Sequence, residues 1–357
     1  MGIIPFGSKK AKPEEEVDDE IEEKPRRKKR SPDEPKKKIP PKPWGKKERI
    51  VLLIILLVTA GSSGVLAMSA REFKLPGLPR IILPDVSKFN QPLSFVGDET
   101  IVIEGNSSNK IISEEIIKHF NIMTNDLSGV YGFYIIHTED NYSFGVNVQE
   151  KFEPASLNKL AVILTAYSQY EKGDFDIDED YVLKASDKIG GSGSLSTMPN
   201  GTVLTYRELL TKMGKASDNT AFNVVRRTLG DAIIAETTRV AGMNSTSLDE
   251  NATTVKDIGQ FFISLYKGNL VTSTSQKAIL DSLTDTTYEN WITQGVPPEV
   301  RVAHKFGREV HVVNDAGIVY ADKPYILVVM SKGIIESEAD DFFPRFSKIV
   351  YDIENKI

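Results

Sequence analysis

The chain reads PASLNKLAVILTAYSQY from Pro154 to Tyr170, and no other segment says as much about its architecture. From Leu160 onward the segment is mostly apolar, which predicts a buried helix. Ser156 and Lys159 lie one turn apart at its start, so both side chains project from one face. A serine hydroxyl becomes a nucleophile when a neighbouring base takes its proton, and a lysine kept partly neutral by burial can serve. The pair is therefore a candidate nucleophile and base.

Patterns on both sides of this helix predict the order of the other elements. Residues 111–120 repeat apolar side chains at helical spacing, with Ser113 as a candidate cap, and residues 132–148 predict a β-hairpin. A helical block follows, then three strands near residues 300–330 and a final amphipathic helix from Ser337. This order predicts an α/β (α+β) fold, in which an antiparallel β-sheet is flanked by helices beside an all-α subdomain.

Two further motifs follow the first, Ser217-Asp218-Asn219 and Lys305-Phe306-Gly307. The first triplet is common in loops, where its aspartate caps a helix. The second lies in a β-rich segment, where a lysine is usually solvated or guards a sheet edge. S-x-x-K spacing is also weak alone, since it arises on the order of once per few hundred residues at average composition. Ser107 to Lys110 is a second example, which we assign to a stalk because no strongly apolar helix opens there.

In this order, the three motifs resemble the S-x-x-K, S-D-N and K-T-G signatures of class A β-lactamases and their penicillin-binding relatives. The resemblance covers roughly residues 108–357 and extends to Leu204–Leu210 and Thr253-Thr254. It implies a serine hydrolase domain that works through an acyl-enzyme, with no cofactor and no metal. The partner it implies is a β-lactam or a peptidoglycan stem peptide of the D-Ala-D-Ala type.

The resemblance also assigns roles by motif match. The catalytic residues that it implies are Ser156 as nucleophile, Lys159 as base, Ser217 as proton relay and Lys305 as electrostatic anchor. The substrate-binding residues that it implies are Asn219, Phe306, Gly307 and Arg308. Gly307 allows the backbone to approach a ligand closely. The backbone N–H of Arg308 can then join that of Ser156 in an oxyanion hole, which stabilises negative charge on the substrate oxygen.

One departure from the family pattern concerns the loop that carries the deacylating base. In class A β-lactamases a glutamate of this loop is required to release the acyl group. Here Met243–Asp249 runs through Glu250 almost directly into Thr253-Thr254, so we interpret the loop as deleted. Glu250, with Asp249 beside it, is the carboxylate left nearby, and we interpret it as a helix-start residue. Deacylation is therefore expected to be slow.

A second departure is Phe306, which stands where the family carries a hydroxyl. Losing one charge-assisted hydrogen bond to a substrate carboxylate is expected to weaken binding by about 1.5–3 kcal/mol. We hypothesise that Arg308 or Arg301 compensates for this loss.

The N-terminal part of the chain differs in composition from the rest. Residues 1–49 hold sixteen Lys/Arg, eleven Asp/Glu and eight Pro, which predicts a disordered, charged tail. Residues 50–70 carry no charge, and a helix of this length, at about 1.5 Å per residue, spans the hydrocarbon core of a bilayer. This predicts a transmembrane anchor in contact with membrane lipid. A stalk at 71–107, with a short strand near its end, and a hydrolase domain at 108–357 follow.

The charges beside the apolar segment set its predicted orientation. Lys46, Lys47 and Arg49 precede the segment, whereas Arg71 and Lys74 follow it. The positive-inside bias therefore places the tail in the cytoplasm and the large domain outside the cell membrane. Two alternatives stay open: a cleaved signal peptide, since small residues near the end of the segment suit cleavage, and a buried core helix.

Composition narrows the remaining classes of function. The net charge is −6, and removing the tail's +5 leaves −11 on the rest, which argues against nucleic acid as a partner. The chain has no cysteine, so disulfides and thiol catalysis are excluded. The four histidines lack metal-ligand spacing and are interpreted as structural. The glycines at 190–193 lack the G-K-[ST] of a phosphate loop and predict a flexible loop at the cleft rim.

Three functions remain compatible with these patterns. The first is a membrane-anchored extracytoplasmic serine hydrolase. The second is a catalytically silent module on the same fold, which binds cell-wall peptides or a protein partner. The third, a membrane scaffold that acts through its tail, is compatible with either.

Overall fold

The fold is taken from a computed structural model, which describes residues 55, 56, 59, 101–104 and 110–355. No helix within these ranges is long and apolar enough to cross a membrane. The predicted tail at 1–49 lies outside the described residues, as does most of the predicted anchor at 50–70 and of the predicted stalk at 71–107. Those assignments remain predictions.

The chain divides into two units, Met1–Val86 and Ser87–Ile357. In the first unit, Thr59 Oγ1 donates hydrogen bonds to the carbonyl oxygens of Ile55 and Leu56. The second unit contains all the strands and the numbered helices described below.

The strands and helices of the second unit are numbered in chain order. The strands are β1 (Ile101–Glu104), β2 (Val130–His137), β3 (Ser143–Val146), β4 (Asp180–Val182), β5 (Val203–Thr205), β6 (Val302–Glu309), β7 (Val312–Val319) and β8 (Tyr325–Lys332). The α-helices are α1 (Lys110–Thr124), α2 (Lys159–Lys172), α3 (Tyr206–Ala216), α4 (Asn219–Leu229), α5 (Asp231–Val240), α6 (Val255–Tyr266), α7 (Ser273–Ser282) and α8 (Glu336–Glu354).

Six strands form one antiparallel sheet in the order β1-β3-β2-β8-β7-β6. Successive side chains of a strand point to opposite faces, so each inner strand contributes to two cores. On β2, Tyr134 and Ile136 belong to one core, whereas Phe133 and Ile135 belong to the other. The predicted antiparallel sheet flanked by helices is confirmed.

The two cores differ in what covers them. One face of the sheet packs against α6 and the helical block behind it. The other packs against α1 and α8, where Phe120 lies edge-on to Phe346 with ring centroids 5.3 Å apart. The helical block also holds a separate two-stranded sheet of β4 and β5. The predicted all-α subdomain therefore contains this small sheet in addition to its helices.

Two local predictions at the start of the domain are wrong. Ser113 does not cap α1, because the helix begins at Lys110 and Ser113 is buried within it, donating to the Lys110 carbonyl at 2.9 Å. The strand predicted inside the stalk, β1, belongs to the domain, because it pairs with β3 as the edge of the main sheet. Glu104 on this strand also forms an ion pair with Lys256 of α6 at 2.8 Å.

Candidate active site

Ser156 lies in a single 3-10 turn, Ala155–Asn158, that leads directly into α2. Ala155 has a φ of +47°, a left-handed conformation that residues other than glycine rarely adopt. Backbone strain of this kind clusters at functional sites, where the surrounding structure holds it in place. The turn leaves Ser156 half-buried, while Leu157 beside it is fully buried. The predicted nucleophile is therefore presented at the start of a buried helix.

Lys159, the last residue of the motif, is only 3% exposed. Its Nζ donates hydrogen bonds to Ser156 Oγ at 2.7 Å and to Asn219 Oδ1 at 2.9 Å. Burial lowers the pKa of Lys159 to about 8, although the carboxylates of Glu309 and Asp218 oppose this shift. A fraction of the amine is therefore neutral near neutral pH, within hydrogen-bond reach of the hydroxyl. The structure thus brings the predicted nucleophile and base together.

Ser217 ends helix α3 in a left-handed conformation, with φ of +53°. Its Oγ is buried and has no hydrogen-bond partner among the described residues. A buried hydroxyl without a partner is destabilising by about 1–3 kcal/mol, so this atom is poised for a ligand rather than for the fold.

Asp218 has the structural role that the sequence predicted for it. The residue caps α4, and its carboxylate accepts four backbone hydrogen bonds of 2.8–3.0 Å. The N–H donors are those of Thr220, Ala221, Ser194 and Leu195. The bonds from Ser194 and Leu195 join the S-D-N turn to the residues that directly follow the glycine loop at 190–193.

The glycine loop contacts the predicted substrate clamp directly. Asn219 Nδ2 donates to the Gly190 carbonyl at 2.9 Å, and the Asn219 backbone N–H donates to the Ser192 carbonyl at 3.1 Å. At Gly193, with φ of +87°, an added Cβ would overlap the Asp218 carboxylate. Oδ1 of the clamp binds the active-site lysine, and one of the two Nδ2 hydrogens is used by Gly190. The second Nδ2 hydrogen is available to a substrate carbonyl.

Lys305 is fully buried on β6. Its Nζ donates to the Phe306 carbonyl at 2.9 Å and lies 4.1 Å from the centroid of the Phe306 ring. Burial, followed by the positive charge of Lys159, holds the pKa of Lys305 well below its usual value, against the opposing carboxylate of Asp315. Within the described part of the chain, Lys305 and Ser217 share no hydrogen bond. The predicted relay contact is therefore not formed.

Gly307 brings strand β6 against the nucleophile. A Cβ at this position would lie 2.8 Å from the Ser156 backbone nitrogen and 3.1 Å from the Ala155 Cβ. Backbone groups of an edge strand point alternately toward its partner and away from it. The His304 N–H points away from β7, because it donates to the Leu283 carbonyl at 2.7 Å. By this alternation the Arg308 N–H, four residues on, points to the same free edge, as the predicted oxyanion hole requires.

Phe306 replaces the family's hydroxyl with an aromatic surface. Its half-buried ring lies 5.2 Å from that of Tyr288, centroid to centroid. The two arginines hypothesised to compensate are engaged elsewhere. Arg308 forms an ion pair with Asp340 at 3.1 Å, and Arg301 contacts Asp281 at 3.4 Å.

The segment in which we interpret a loop as deleted forms a tight turn. Ser247 and Ala252 exchange two backbone hydrogen bonds of 2.8 and 3.1 Å, which leaves room for four residues between them. Glu250 is exposed in this turn and forms an ion pair with Lys151 at 3.1 Å. Its interpretation as a helix-start residue is wrong, because Thr254 caps the following helix α6.

His304 belongs to a buried ionic cluster behind the catalytic strand. Its Nδ1 lies 2.8 Å from Asp315 Oδ1, and its Nε2 lies 3.3 Å from Glu289 Oε1 and 3.1 Å from Thr286 Oγ1. Burial opposes a charge on the ring, but the two carboxylates outweigh it and raise the pKa of His304 to about 9. The histidine is therefore structural, as predicted, through partners that lie far away in sequence.

A cavity of about 700 Å³ opens near the start of β6, between residues that include Lys215, Glu289, Glu299 and Arg301. None of the eight predicted site residues lines it, so it is separate from the cleft at Ser156.

Glu309 is a residue of this region that the sequence reasoning missed. It lies on β6 two residues after Gly307 and four after Lys305, so strand alternation puts all three side chains on one face. Taking every second residue of the strand from Lys305 would have identified Glu309.

Comparisons with known proteins agree with this geometry. A family model described as the beta-lactamase enzyme family matches residues 113–353. A β-lactamase structure from Sphaerobacter thermophilus is 21% identical, covers 70% of this chain and 98% of its own, and has a TM-score of 0.64. PBP-A is 20% identical, covers 72% of this chain and 100% of its own, and has a TM-score of 0.64. The TLA-1 extended-spectrum β-lactamase is 19% identical, covers 68% of this chain and 99% of its own, and has a TM-score of 0.62. These likenesses show the shared fold. No curated protein matches the sequence.

Proposed function

Because this chain belongs to the beta-lactamase enzyme family, we propose that it is a serine hydrolase that forms an acyl-enzyme at Ser156. One observation carries the proposal: the Nζ of Lys159, an amine with a lowered pKa, lies 2.7 Å from Ser156 Oγ. The proposed substrates are β-lactams or D-Ala-D-Ala-type cell-wall peptides. A related solved structure, PBP-A with a single substitution, is described as an acyl-enzyme complex with penicillin G.

The proposed acylation uses the side chains around the nucleophile. Neutral Lys159 takes the Ser156 proton as Oγ attacks the carbonyl carbon of the substrate. The backbone N–H groups of Ser156 and Arg308 stabilise the oxyanion that forms. The Ser217 hydroxyl, which has no partner within the described residues, is available to pass a proton to the leaving amine. Slow release of the acyl group is part of the proposal, because the loop that carries the family's deacylating glutamate is deleted.

The test uses the full chain and a fluorescent penicillin. Intact mass should show one adduct that persists on the wild type and is absent from Ser156→Ala. Rapid turnover without an adduct would contradict slow deacylation. A folded protein that neither retains nor hydrolyses the probe would contradict acyl-enzyme formation.

A silent binding module is the second candidate, and two features favour it. Phe306 supplies no hydroxyl for a substrate carboxylate, and a tight turn from Ser247 to Ala252 stands where we interpret the loop with the deacylating glutamate as deleted. Such a module would bind a peptidoglycan stem peptide without cleaving it. Saturable binding of an uncleaved D-Ala-D-Ala peptide by both wild type and Ser156→Ala, with no penicillin adduct, would support this alternative.

We also propose that residues 50–70 anchor the protein in the cell membrane, with the N-terminus in the cytoplasm and the hydrolase domain outside. The uncharged length of this segment and the lysines and arginine before it support the proposal. Deleting residues 1–70 should release the domain from the membrane fraction. Retention of the shortened protein in washed membranes would contradict the anchor.

A further inference from the structure

Glu309 is the last residue of β6 and is placed beside the nucleophile by the strand itself. Gly307, two residues earlier, is in direct contact with the Ser156 turn. Glu309 follows on the same face at a backbone distance of about 7 Å along the strand. A glutamate side chain is long enough to reach back over part of that distance. The geometry therefore puts a carboxylate at the rim of the acylation site.

The Glu309 carboxylate is exposed and uncommitted. It forms no hydrogen bond or ion pair with any residue in the described ranges, although its neighbour Arg308 is paired with Asp340. It nevertheless acts on the buried base. Of the two carboxylates that oppose the burial-driven fall in the pKa of Lys159, Glu309 has the larger effect and Asp218 the smaller. The Glu309 carboxylate therefore influences the charge of the amine that lies beside Ser156.

Other carboxylates near the site are already engaged. Asp218 accepts four backbone hydrogen bonds, and Asp315 is buried against His304. Glu250 is exposed on the tight turn and bound to Lys151. Glu309 is thus the carboxylate with a free acceptor and a direct electrostatic effect on the catalytic lysine.

We propose that Glu309 is the general base that activates water for hydrolysis of the Ser156 acyl-enzyme. This assignment rests on the proposed function: Glu309 on β6 performs, at a slower rate, the task that the loop glutamate has in class A β-lactamases. A water between Glu309 and the ester carbonyl loses a proton to the carboxylate as its oxygen bonds to the carbonyl carbon. The carbon–Oγ bond then breaks, and Ser156 Oγ takes a proton from the Lys159 ammonium. Glu309 returns its proton to Lys159 or to solvent, so both groups are restored.

The test compares Glu309→Gln with the wild type in the full chain. Glutamine keeps the size of the side chain but cannot take the proton from water. The protein is acylated with a fluorescent penicillin and, separately, with p-nitrophenyl acetate, which needs no recognition group. After removal of the probe, intact mass follows release of the acyl group. We expect acylation to be retained and release to slow by about 100-fold or more, as for loss of a general base.

Glu250→Gln is the matched control, because it removes the surface carboxylate of the tight turn. We expect it to release the acyl group at the wild-type rate. Unchanged release in Glu309→Gln, or equal slowing in both variants, overturns the assignment. Hydroxylamine, which attacks the ester without a base, should release both adducts at equal rates. An adduct of Glu309→Gln that resists hydroxylamine would show blocked access and would also overturn the assignment.

These outcomes separate the two proposals. If neither probe acylates the wild type, the acyl-enzyme proposal fails and the Glu309 assignment falls with it. If the wild type is acylated at Ser156 but the Glu309→Gln variant releases the acyl group normally, only the Glu309 assignment fails.

Discussion

Burial decides the chemistry of Lys159 and Lys305. Both amines are removed from water, which penalises their charged forms, and the charge of Lys159 further disfavours a charge on Lys305. A serine placed beside a solvated lysine would meet an ammonium that cannot accept its proton. The active-site cleft instead holds one amine with a pKa near the working pH, 2.7 Å from Ser156 Oγ.

The rate of Ser156 acylation is predicted to rise with pH through about 8. Lys159 must be neutral to accept the serine proton, and below its pKa of about 8 the amine is mostly protonated. The measurement is the rate of fluorescent penicillin labelling between pH 6 and pH 9. Lys159→Gln should label roughly 100-fold or more slowly and lose this pH dependence. A rate that falls as pH rises through 8 would contradict the role of the neutral amine.

Phe306→Thr is predicted to accelerate acylation by a substrate that carries a carboxylate. A threonine hydroxyl at this position restores a charge-assisted hydrogen bond of about 1.5–3 kcal/mol, which corresponds to roughly 10- to 100-fold in rate. Benzylpenicillin measures the gain, and p-nitrophenyl acetate, which has no carboxylate, is the control probe. An equal gain with both probes would indicate a general opening of the cleft. No gain with penicillin would contradict the proposed carboxylate position.

Strand β6 positions more of the site than any other element does. Its alternation places Lys305, Gly307 and Glu309 on the face toward the nucleophile and His304 and Phe306 on the other face, although the Phe306 ring still lies 4.1 Å from Lys305 Nζ. Its free edge presents backbone N–H groups where the oxyanion hole is expected. Pairing with β7 along its full length fixes this register. A slip of one residue would exchange the two faces and destroy the site.

Gly307→Ala is predicted to abolish most acylation while the protein stays folded. The added Cβ would meet the Ser156 backbone nitrogen at 2.8 Å, a distance that the strand and the 3-10 turn cannot both keep. Labelling by penicillin should fall by on the order of 100-fold, the effect of disturbing an oxyanion hole. Val310→Ala, in the exposed turn of the same hairpin, should label normally. Normal labelling of Gly307→Ala would show that the close approach is not required.

The second unit is held by a sheet with a core on each face and, among its described residues, by a buried ionic cluster around His304. His304 joins β6 to Asp315 on β7 and to Glu289 in the segment before β6. Removing one partner of a buried charged group is strongly destabilising, because the other charge remains without compensation. The cluster therefore fixes the back of the catalytic strand.

The contribution of His304 to stability is predicted to fall as pH rises from about 7 to about 10. The pKa of His304 is raised from 6.5 to about 9 in the folded protein, so its contribution is full below 6.5 and is lost as pH passes 9. The loss is on the order of 3 kcal/mol. Urea unfolding across this range measures the difference in unfolding free energy between the wild type and His304→Gln, in which the opposing effect of the lowered Lys159 and Lys305 pKa values cancels. This difference should shrink as pH rises, whereas the difference between the wild type and His119→Gln, outside the cluster, should stay constant. A difference between the wild type and His304→Gln that does not change with pH would contradict a charged His304.

Sequence patterns predicted well wherever the signal was local. The hairpin at 132–148, the helix after Ser156 and the three late strands follow from side-chain periodicity, and each is confirmed. The cap at Ser113 failed because α1 begins three residues earlier. The place of β1 in the sheet failed because its pairing depends on a partner about forty residues away. Neither failure was visible in composition or spacing.

The amino-acid sequence alone determined which reactive groups this protein has. They are the Ser156 hydroxyl and the Lys159 amine one turn apart, a second lysine, Lys305, in a β-rich segment, and the Phe306 ring in place of a hydroxyl. Folding alone decided which of these groups meet. It joined Ser156, Lys159 and Asn219 by hydrogen bonds, and among the described residues it formed none between Lys305 and Ser217. The reason is physical: pKa values and hydrogen bonds depend on burial and on neighbours, which are properties of packing in space.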